Sequence, residues 1–217
     1  MKIAIIGAES TGKSELVRQL AQHFQKHGKS VHHIPEYLRT WCDIEKRTPR
    51  KDEQLAIATE QIRQIDSAPF SDSTGDILLA DTTALTVAVY SDLLFGDVSL
   101  YDMAMTHQRT FDATLLMGLD LPWIADGIQR DGAHLREPVD AALRTALVRG
   151  GIQFQVVYGT GELRLQNALR CLKTASELVT DAQELQKNPP RLKNWVCERC
   201  SDPICEHRLF QDLLNQA

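Results

Sequence analysis

Gly7-Ala8-Glu9-Ser10-Thr11-Gly12-Lys13-Ser14 is the most informative segment of the chain, because it fits the pattern G-x-x-x-x-G-K-[ST]. The apolar run at residues 3–6 precedes it and predicts a short buried strand. After it, apolar residues recur every three or four positions between Leu16 and Phe24, which predicts an amphipathic helix. A strand, this loop and a helix, in that order, are the context in which the pattern binds phosphate.

The residues of this phosphate loop have separate predicted roles. The glycines allow backbone N–H groups to turn inward around an anion, and the following helix adds the positive end of its dipole. Lys13 is predicted to bind the β and γ phosphates of ATP, and the Ser14 hydroxyl to bind Mg²⁺. The alternative is an ordinary strand-to-helix turn that contains glycine. The predicted nucleotide-binding residues at this end of the chain are Gly7, Glu9, Ser10, Thr11, Gly12, Lys13, Ser14 and Leu16.

Further along the chain, short apolar runs alternate with amphipathic segments. Beyond the first strand, strands are predicted at residues 30–34, 77–80, 113–117 and 154–158. Continuous apolar strands joined by helical crossovers predict a mainly parallel sheet covered on both faces. We therefore expect an α/β three-layer sandwich with a five-stranded sheet over residues 1–187, followed by a short Cys-rich tail over residues 188–217.

Two carboxylates are expected at the sheet edge where the phosphate loop lies. Asp81 follows a predicted strand and is predicted to bind Mg²⁺, directly or through water, because the carboxyl ends of parallel strands share one edge. Its alternative role is to cap the next helix, but Thr82 is predicted to be that N-cap. Glu36 follows the second strand and could accept the proton of a substrate hydroxyl. It could equally form a surface pair with Arg39.

In this order, the segments resemble the ribosylnicotinamide-kinase-like P-loop proteins. That family includes the kinase domain of a bifunctional NAD-biosynthesis regulator and related small AAA-type ATPases of unassigned substrate. The resemblance covers about residues 1–175 and implies a nucleoside-kinase-type fold, ATP as donor, and nicotinamide riboside as acceptor. Its motifs are residues 7–14, Glu36-Tyr37-Leu38-Arg39, Asp81-Thr82, Leu121-Pro122-Trp123 to Asp126-Gly127, and Gly159-Thr160-Gly161-Glu162-Leu163-Arg164.

The resemblance also implies roles for residues outside the phosphate loop. A lid that closes over the phosphates is expected to carry Arg130 and Arg136, whose alternative is a solvated loop. Arg164 is expected to pack against the adenine or to lie on a helix surface. The predicted acceptor-binding residues are Glu36, Tyr37, Arg39, Trp123 and Asp126. The predicted catalytic residues are Lys13, Glu36, Asp81, Arg130 and Arg136. Large aromatic residues are more often core than ligand-stacking, which is the alternative for Tyr37 and Trp123.

The tail places four potential zinc ligands close together, namely Cys197, Cys200, Cys205 and His207. Three thiolates and an imidazole form a tetrahedral Zn²⁺ set, and so short a segment gains stability from a metal. A structural zinc site is therefore the favoured interpretation. The alternatives are reduced surface thiols beside a chance histidine, or a redox-sensing pair.

Composition narrows the function further. The 217 residues include 29 acidic and 24 basic side chains, and no basic stripe suits a nucleic acid. The chain has no apolar run of membrane-spanning length, no visible export signal and only five cysteines, so we expect a cytoplasmic protein. The main hypothesis is a small-molecule kinase, with a homodimer left open. The alternative is a regulatory nucleotide-binding module, or an ATPase without a small-molecule acceptor.

Overall fold

The computed structural model describes residues 1–71, 75–124 and 133–187, with the side chains of the last helix described as far as residue 174. The chain divides into two units after residue 176, and the fold and site below lie in the first, Met1–Ser176. The strands are β1 (Lys2–Ile6), β2 (Val31–Ile34), β3 (Ile77–Asp81), β4 (Ala113–Met117) and β5 (Gln155–Val157). The helices are α1 (Lys13–Lys26), α2 (Tyr37–Glu45), α3 (Gln54–Asp66), α4 (Ala84–Phe95), α5 (Tyr101–Gln108), α6 (Arg136–Arg149) and α7 (Gly161–Lys187).

The strands form one sheet in the order β2-β3-β1-β4-β5, and every neighbouring pair is parallel. β1 lies at the centre, where Ile5 is opposite Asp81 of β3 on one side and Leu115 of β4 on the other. The prediction of a five-stranded, mainly parallel sheet is confirmed, and within the described residues the sheet is parallel throughout.

Two cores lie on opposite faces of this sheet. Ala4 and Ile6 of β1 pack with residues of α3, α4, α5 and α6, whereas Ile3 and Ile5 pack with residues of α1 and α7. Successive side chains of a strand point to opposite faces, so a continuous apolar strand is stable only when both faces are covered. The three-layer α/β fold is thus confirmed. Among the described helices, none is long and apolar enough to cross a lipid bilayer.

The start of α4 differs from the prediction. Thr83, not Thr82, is the N-cap residue, with extended backbone angles of −132° and 170°. Thr82 instead has a φ of +76°, in the left-handed region where a β-branched residue is strained. The prediction of Thr82 as N-cap is therefore wrong by one residue. Because Asp81 lies two residues before the true N-cap, its carboxylate is available for another role.

Candidate nucleotide and acceptor site

The phosphate loop joins β1 to α1 and is tightly enclosed. Gly12 has a φ of +77°, and a Cβ atom added there would lie 3.1 Å from Leu121 Cδ1 and 3.2 Å from Arg164 Nη1. At Gly7 an added Cβ would lie 2.9 Å from the Cβ of Met117. Only glycine fits these two positions without moving a neighbour, which is what a backbone that closely surrounds an anion requires.

Side chains of the loop also bind its own carbonyl groups. Lys13 Nζ donates hydrogen bonds of 3.0 Å to the carbonyl oxygens of both Gly7 and Ala8, and the buried Thr11 hydroxyl donates to Ala8 at 2.7 Å. The ammonium group of Lys13 is therefore held at the loop, within reach of any phosphate bound there. Leu16, in contrast, is only 1% exposed in the core, and its N–H donates to the Gly12 carbonyl. The prediction that Leu16 contacts the nucleotide is wrong, because neither its side chain nor its amide is accessible.

Arg164 supports the phosphate loop from the first turn of α7. Its side chain is 4% exposed, donates to the carbonyl oxygen of Thr11, and forms an ion pair of 2.5 Å with Asp120. Desolvation lowers the pKa of the Arg164 guanidinium. The adjacent Asp120 carboxylate acts in the opposite direction and raises this pKa, but the net shift is downward. The other oxygen of Asp120 accepts the N–H of Gly159 at 2.6 Å. The alternative of Arg164 on a helix surface is thus wrong, and the contact with adenine remains a prediction.

The segment after β4 begins against the same loop. Ser10 Oγ donates to the carbonyl of Ile124 at 2.7 Å, and Arg136 donates to the carbonyl of Leu121 at 2.9 Å. Arg136 is the first residue of α6 and half-buried, so it does not belong to a solvated loop. Its role as a lid arginine stays a prediction. Outside the described residues lie Asp126, Arg130, Cys197, Cys200, Cys205 and His207.

Asp81 fits the magnesium role. Its side chain is 4% exposed, and within the described part of the chain its Oδ1 atom is buried without a hydrogen-bond partner. A buried carboxylate oxygen without a partner is energetically costly, and a cation or its bound water would satisfy it. Ser14 is exposed in the first turn of α1, at the end of the phosphate loop. The oxygen atoms of these two side chains are the ligand type that Mg²⁺ prefers.

A cavity of about 420 Å³ joins the phosphate loop to the predicted acceptor side. Its lining includes Lys13 and Glu9 of the phosphate loop, and Glu36 and Arg39, which follow β2. Glu36 is the N-cap residue of α2, with its side chain 18% exposed and one oxygen 3.9 Å from Arg39 Nε. Glu36 therefore lies near Arg39, as the alternative of a Glu-Arg pair expects, and it also lines the cavity, as a base for the acceptor would. One cavity holds both the phosphate-binding lysine and a carboxylate.

The two predicted aromatic contacts are not part of this cavity. Tyr37 packs against the core, and its backbone N–H donates to Gln61 Oε1 at 2.7 Å. This packing favours the core alternative, and the contact of Tyr37 with the acceptor stays a prediction. Trp123 is half-buried and does not line the cavity either. Its contact with the acceptor stays a prediction.

Much of the cavity wall was not predicted from the sequence. Residues of α4 form one side at spacings of four and five: Thr86, Tyr90, Leu94 and Phe95. Gln54, at the start of α3, contributes a buried amide. A helix that directly follows a strand ending in Asp81 begins at the ligand-binding edge of the sheet. The place of α4 in the sequence, directly after β3, is therefore the feature from which its cavity-lining residues could have been predicted.

Residues 48–51 form a further wall and are held by one carboxylate. Glu53 accepts hydrogen bonds of 2.6 and 2.7 Å from the guanidinium of Arg47, and another of 2.8 Å from the backbone N–H of Arg50. The bond from Arg47 is the main reason why the pKa of Glu53 is lowered to about 2. Arg47 also lies over the ring of Trp41, at 4.8 Å. The loop is thereby attached to α2, through Trp41, and to Glu53, the residue that precedes α3.

Comparisons with known proteins agree with this geometry. Residues 2–164 match the family model described as an AAA domain. The trifunctional NAD biosynthesis/regulator proteins NadR of Salmonella typhimurium and Escherichia coli are both 25% identical, over 70% and 82% of this chain respectively. The chain spans only 37% and 42% of the lengths of these two relatives.

Solved structures share the fold. A NadR protein in complex with NAD and AMP-PNP aligns with a TM-score of 0.63 and 19% identity, over 81% of this chain and 49% of that one. A complex of NadR protein with NR aligns with a TM-score of 0.60 and 20% identity, over 80% and 51%. Thymidylate kinase from Ehrlichia chaffeensis aligns with a TM-score of 0.56 and 14% identity, over 80% and 97%. With its phosphate loop, parallel sheet and family match over three quarters of its length, the chain belongs to the AAA domain family.

Proposed function

We propose that this protein is an ATP-dependent kinase that transfers the γ-phosphoryl group to a hydroxyl of a nucleoside-like small molecule. The observation that carries the proposal is the single cavity that contains both Lys13 of the phosphate loop and the Glu36 carboxylate. A kinase needs these two groups within one enclosed site, because donor phosphate and acceptor hydroxyl must be held together for in-line transfer.

The names of related proteins support a nucleoside-like acceptor. The curated relatives are NAD biosynthesis/regulator proteins, and one structure of this fold is described as a complex with NR. Another is described as a complex with NAD and AMP-PNP, an ATP analogue, and a third is a thymidylate kinase. Nicotinamide riboside is therefore the first acceptor to test.

In this proposal the phosphate loop and Glu36 have separate chemical roles. The acceptor oxygen forms a bond to the γ-phosphorus of ATP as the bond from that phosphorus to the β-bridging oxygen breaks, and ADP leaves. Glu36 accepts the proton of the acceptor hydroxyl. Lys13 and the loop N–H groups stabilise the charge that spreads over the phosphate oxygens. In this proposal Arg130 and Arg136 add positive charge from the lid.

Ser14 and Asp81 would hold a magnesium ion at the phosphates. When bound, Mg²⁺ neutralises phosphate charge and fixes the geometry of the β and γ groups. The zinc site of the tail, the cytoplasmic location and the homodimer remain predictions that rest on the sequence alone.

The test is ADP release by the purified full chain with ATP and Mg²⁺, with and without nicotinamide riboside. We expect release to depend on the acceptor, to be lost in Lys13→Ala, and to fall by about 10² to 10⁴ in kcat for Glu36→Gln with little change in ATP affinity. The matched control for Lys13→Ala is Lys26→Ala, at the far end of the same helix. The matched control for Glu36→Gln is Glu137→Gln, on the exposed first turn of α6. ATP binding without acceptor-dependent release, across a panel of nucleosides, would support the regulatory alternative.

A further inference from the structure

Thr86 carries a buried hydroxyl without a protein partner. Its side chain is 4% exposed, it lines the cavity, and within the described residues its Oγ1 atom has no hydrogen-bond partner. Thr86 is the third residue of α4, so the carbonyl four residues before it lies outside the helix, and the usual partner of a helical threonine hydroxyl is missing. Buried polar groups are almost always paired, so an exception at the wall of a cavity suggests that a ligand supplies the partner.

Gln54 presents a buried amide to the same cavity. It is 4% exposed and begins α3, the helix that packs against α4. Two other glutamines provide a comparison, because protein groups hold their amides: Gln61 bonds to Tyr37 and Pro35, and Gln108 bonds to Thr83 and Thr114. Neither lines the cavity. A carboxamide offers both donors and an acceptor, so Gln54 suits a ligand that presents the same combination.

The rest of this wall is apolar or already paired. Tyr90 and Leu94 follow Thr86 at intervals of four along α4 and suit the face of a flat ring. The two arginines that line the cavity each have a carboxylate within 4.0 Å: Arg39 has Glu36 at 3.9 Å, and Arg50 has Glu53 at 3.0 Å. The residues of α3 and α4 that line the cavity carry no charge, so a carboxylate placed against Gln54 and Thr86 would lose its hydration without gaining a cation from these two helices.

We infer that Gln54 and Thr86 bind the ring of the acceptor, and that this ring carries an uncharged amide edge with a donor beside an acceptor. That the bound molecule is a phosphoryl acceptor rests on the proposed kinase function. An amide edge pairs with the Gln54 carboxamide through two hydrogen bonds, and the Thr86 hydroxyl gains the partner that it lacks. A carboxylate in the same position can only accept hydrogen bonds. One of its oxygen atoms would therefore lie against the carbonyl oxygen of Gln54, and the two acceptors would repel each other.

The test compares two probes that differ only at this edge, nicotinamide riboside and nicotinate riboside. Calorimetric titration into the full chain should show at least about tenfold tighter binding of the amide. Gln54→Leu should weaken binding of the amide about tenfold or more and remove the preference, while ATP affinity stays unchanged. Thr86→Val should weaken binding of the amide severalfold and raise the melting temperature of the protein without ligand, because a buried unpaired hydroxyl is removed. Gln25→Leu and Thr106→Val, at exposed helix positions, are the matched controls.

Equal binding of the two ribosides, binding of neither, or unchanged discrimination in Gln54→Leu would overturn the inference. A melting temperature that falls in Thr86→Val would contradict the unpaired state of its hydroxyl. Binding does not depend on turnover, so the two proposals fail separately. Discrimination without ADP release would remove the kinase function and leave the ring-binding role of Gln54 and Thr86 in place.

Discussion

Replacement of Arg164 by methionine should destabilise the protein and weaken ATP binding together. The guanidinium donates to the Thr11 carbonyl and to the Asp120 carboxylate. A hydrogen bond to a charged group contributes about 1.5–3 kcal/mol and a neutral one about 1 kcal/mol. Asp120 is 30% exposed and regains some hydration in the variant, so we take the lower part of that range. The expected loss of unfolding free energy is therefore roughly 3 kcal/mol.

Urea denaturation measures this loss, and calorimetry measures ATP affinity. We expect ATP affinity to fall about tenfold or more, because one lost loop contact of about 1.4 kcal/mol corresponds to that factor. Arg170→Met, on an exposed turn of the same helix, should change stability by less than about 0.5 kcal/mol. In a double-mutant cycle with Asp120→Asn, the combined loss should be about 1–2 kcal/mol smaller than the sum. If Arg164→Met behaved like Arg170→Met, the supporting role of Arg164 would be refuted.

Three further predictions concern single residues. Gly12→Ala should abolish tight ATP binding. Gly28 is the control, because it has a similar φ of +74° but no atom within 4 Å of an added Cβ. Gly28→Ala should therefore cost only about 1 kcal/mol of stability and leave ATP binding intact. Asp81→Asn should remove the extra rise in melting temperature that Mg²⁺ adds to ATP, and an unchanged rise would exclude Asp81 as a ligand. The pKa of Glu53 lies below its ordinary value of 4.5, at about 2, so its stabilising contribution is present above pH 4.5 and is lost as the pH falls toward 2. Glu53→Gln should therefore reduce the loss of stability between these pH values, as measured by denaturant unfolding at a series of pH values.

The parts of the fold that depend on local sequence could be predicted. β4 lies at the predicted residues 113–117, because a buried parallel strand is a short apolar run bounded by polar residues. The phosphate loop and Asp81 could also be located, since each follows such a run directly. No helix is predicted at Tyr37–Glu45, where the structure has α2. Its apolar residues Leu38, Trp41 and Cys42 do recur at helical spacing, so this helix could have been predicted from the sequence.

Contacts between distant residues could not be predicted. Arg164 and Asp120 are 44 positions apart, and Arg164 and Thr11 are 153 apart. No local pattern relates them, so a surface position for Arg164 was as plausible as a buried one. The same holds for Gln54 and Thr86, which meet the cavity only because α3 packs against α4. The left-handed backbone of Thr82 also has no sequence signal, since threonine seldom adopts that conformation.

Different contacts hold the phosphate loop and the α4 side of the cavity in place. The phosphate loop is anchored by contacts from opposite parts of the chain, through Arg164, Leu121 and Ile124, so most substitutions there would impair nucleotide binding and folding together. The α4 side is formed by side chains of α4 and by a loop held through Glu53. The contacts of Arg164, Leu121 and Ile124 with the phosphate loop do not involve these side chains, so we expect substitutions among them to disturb the donor contacts less. Such a division allows a lineage to acquire new acceptors while the machinery for the common donor is inherited unchanged.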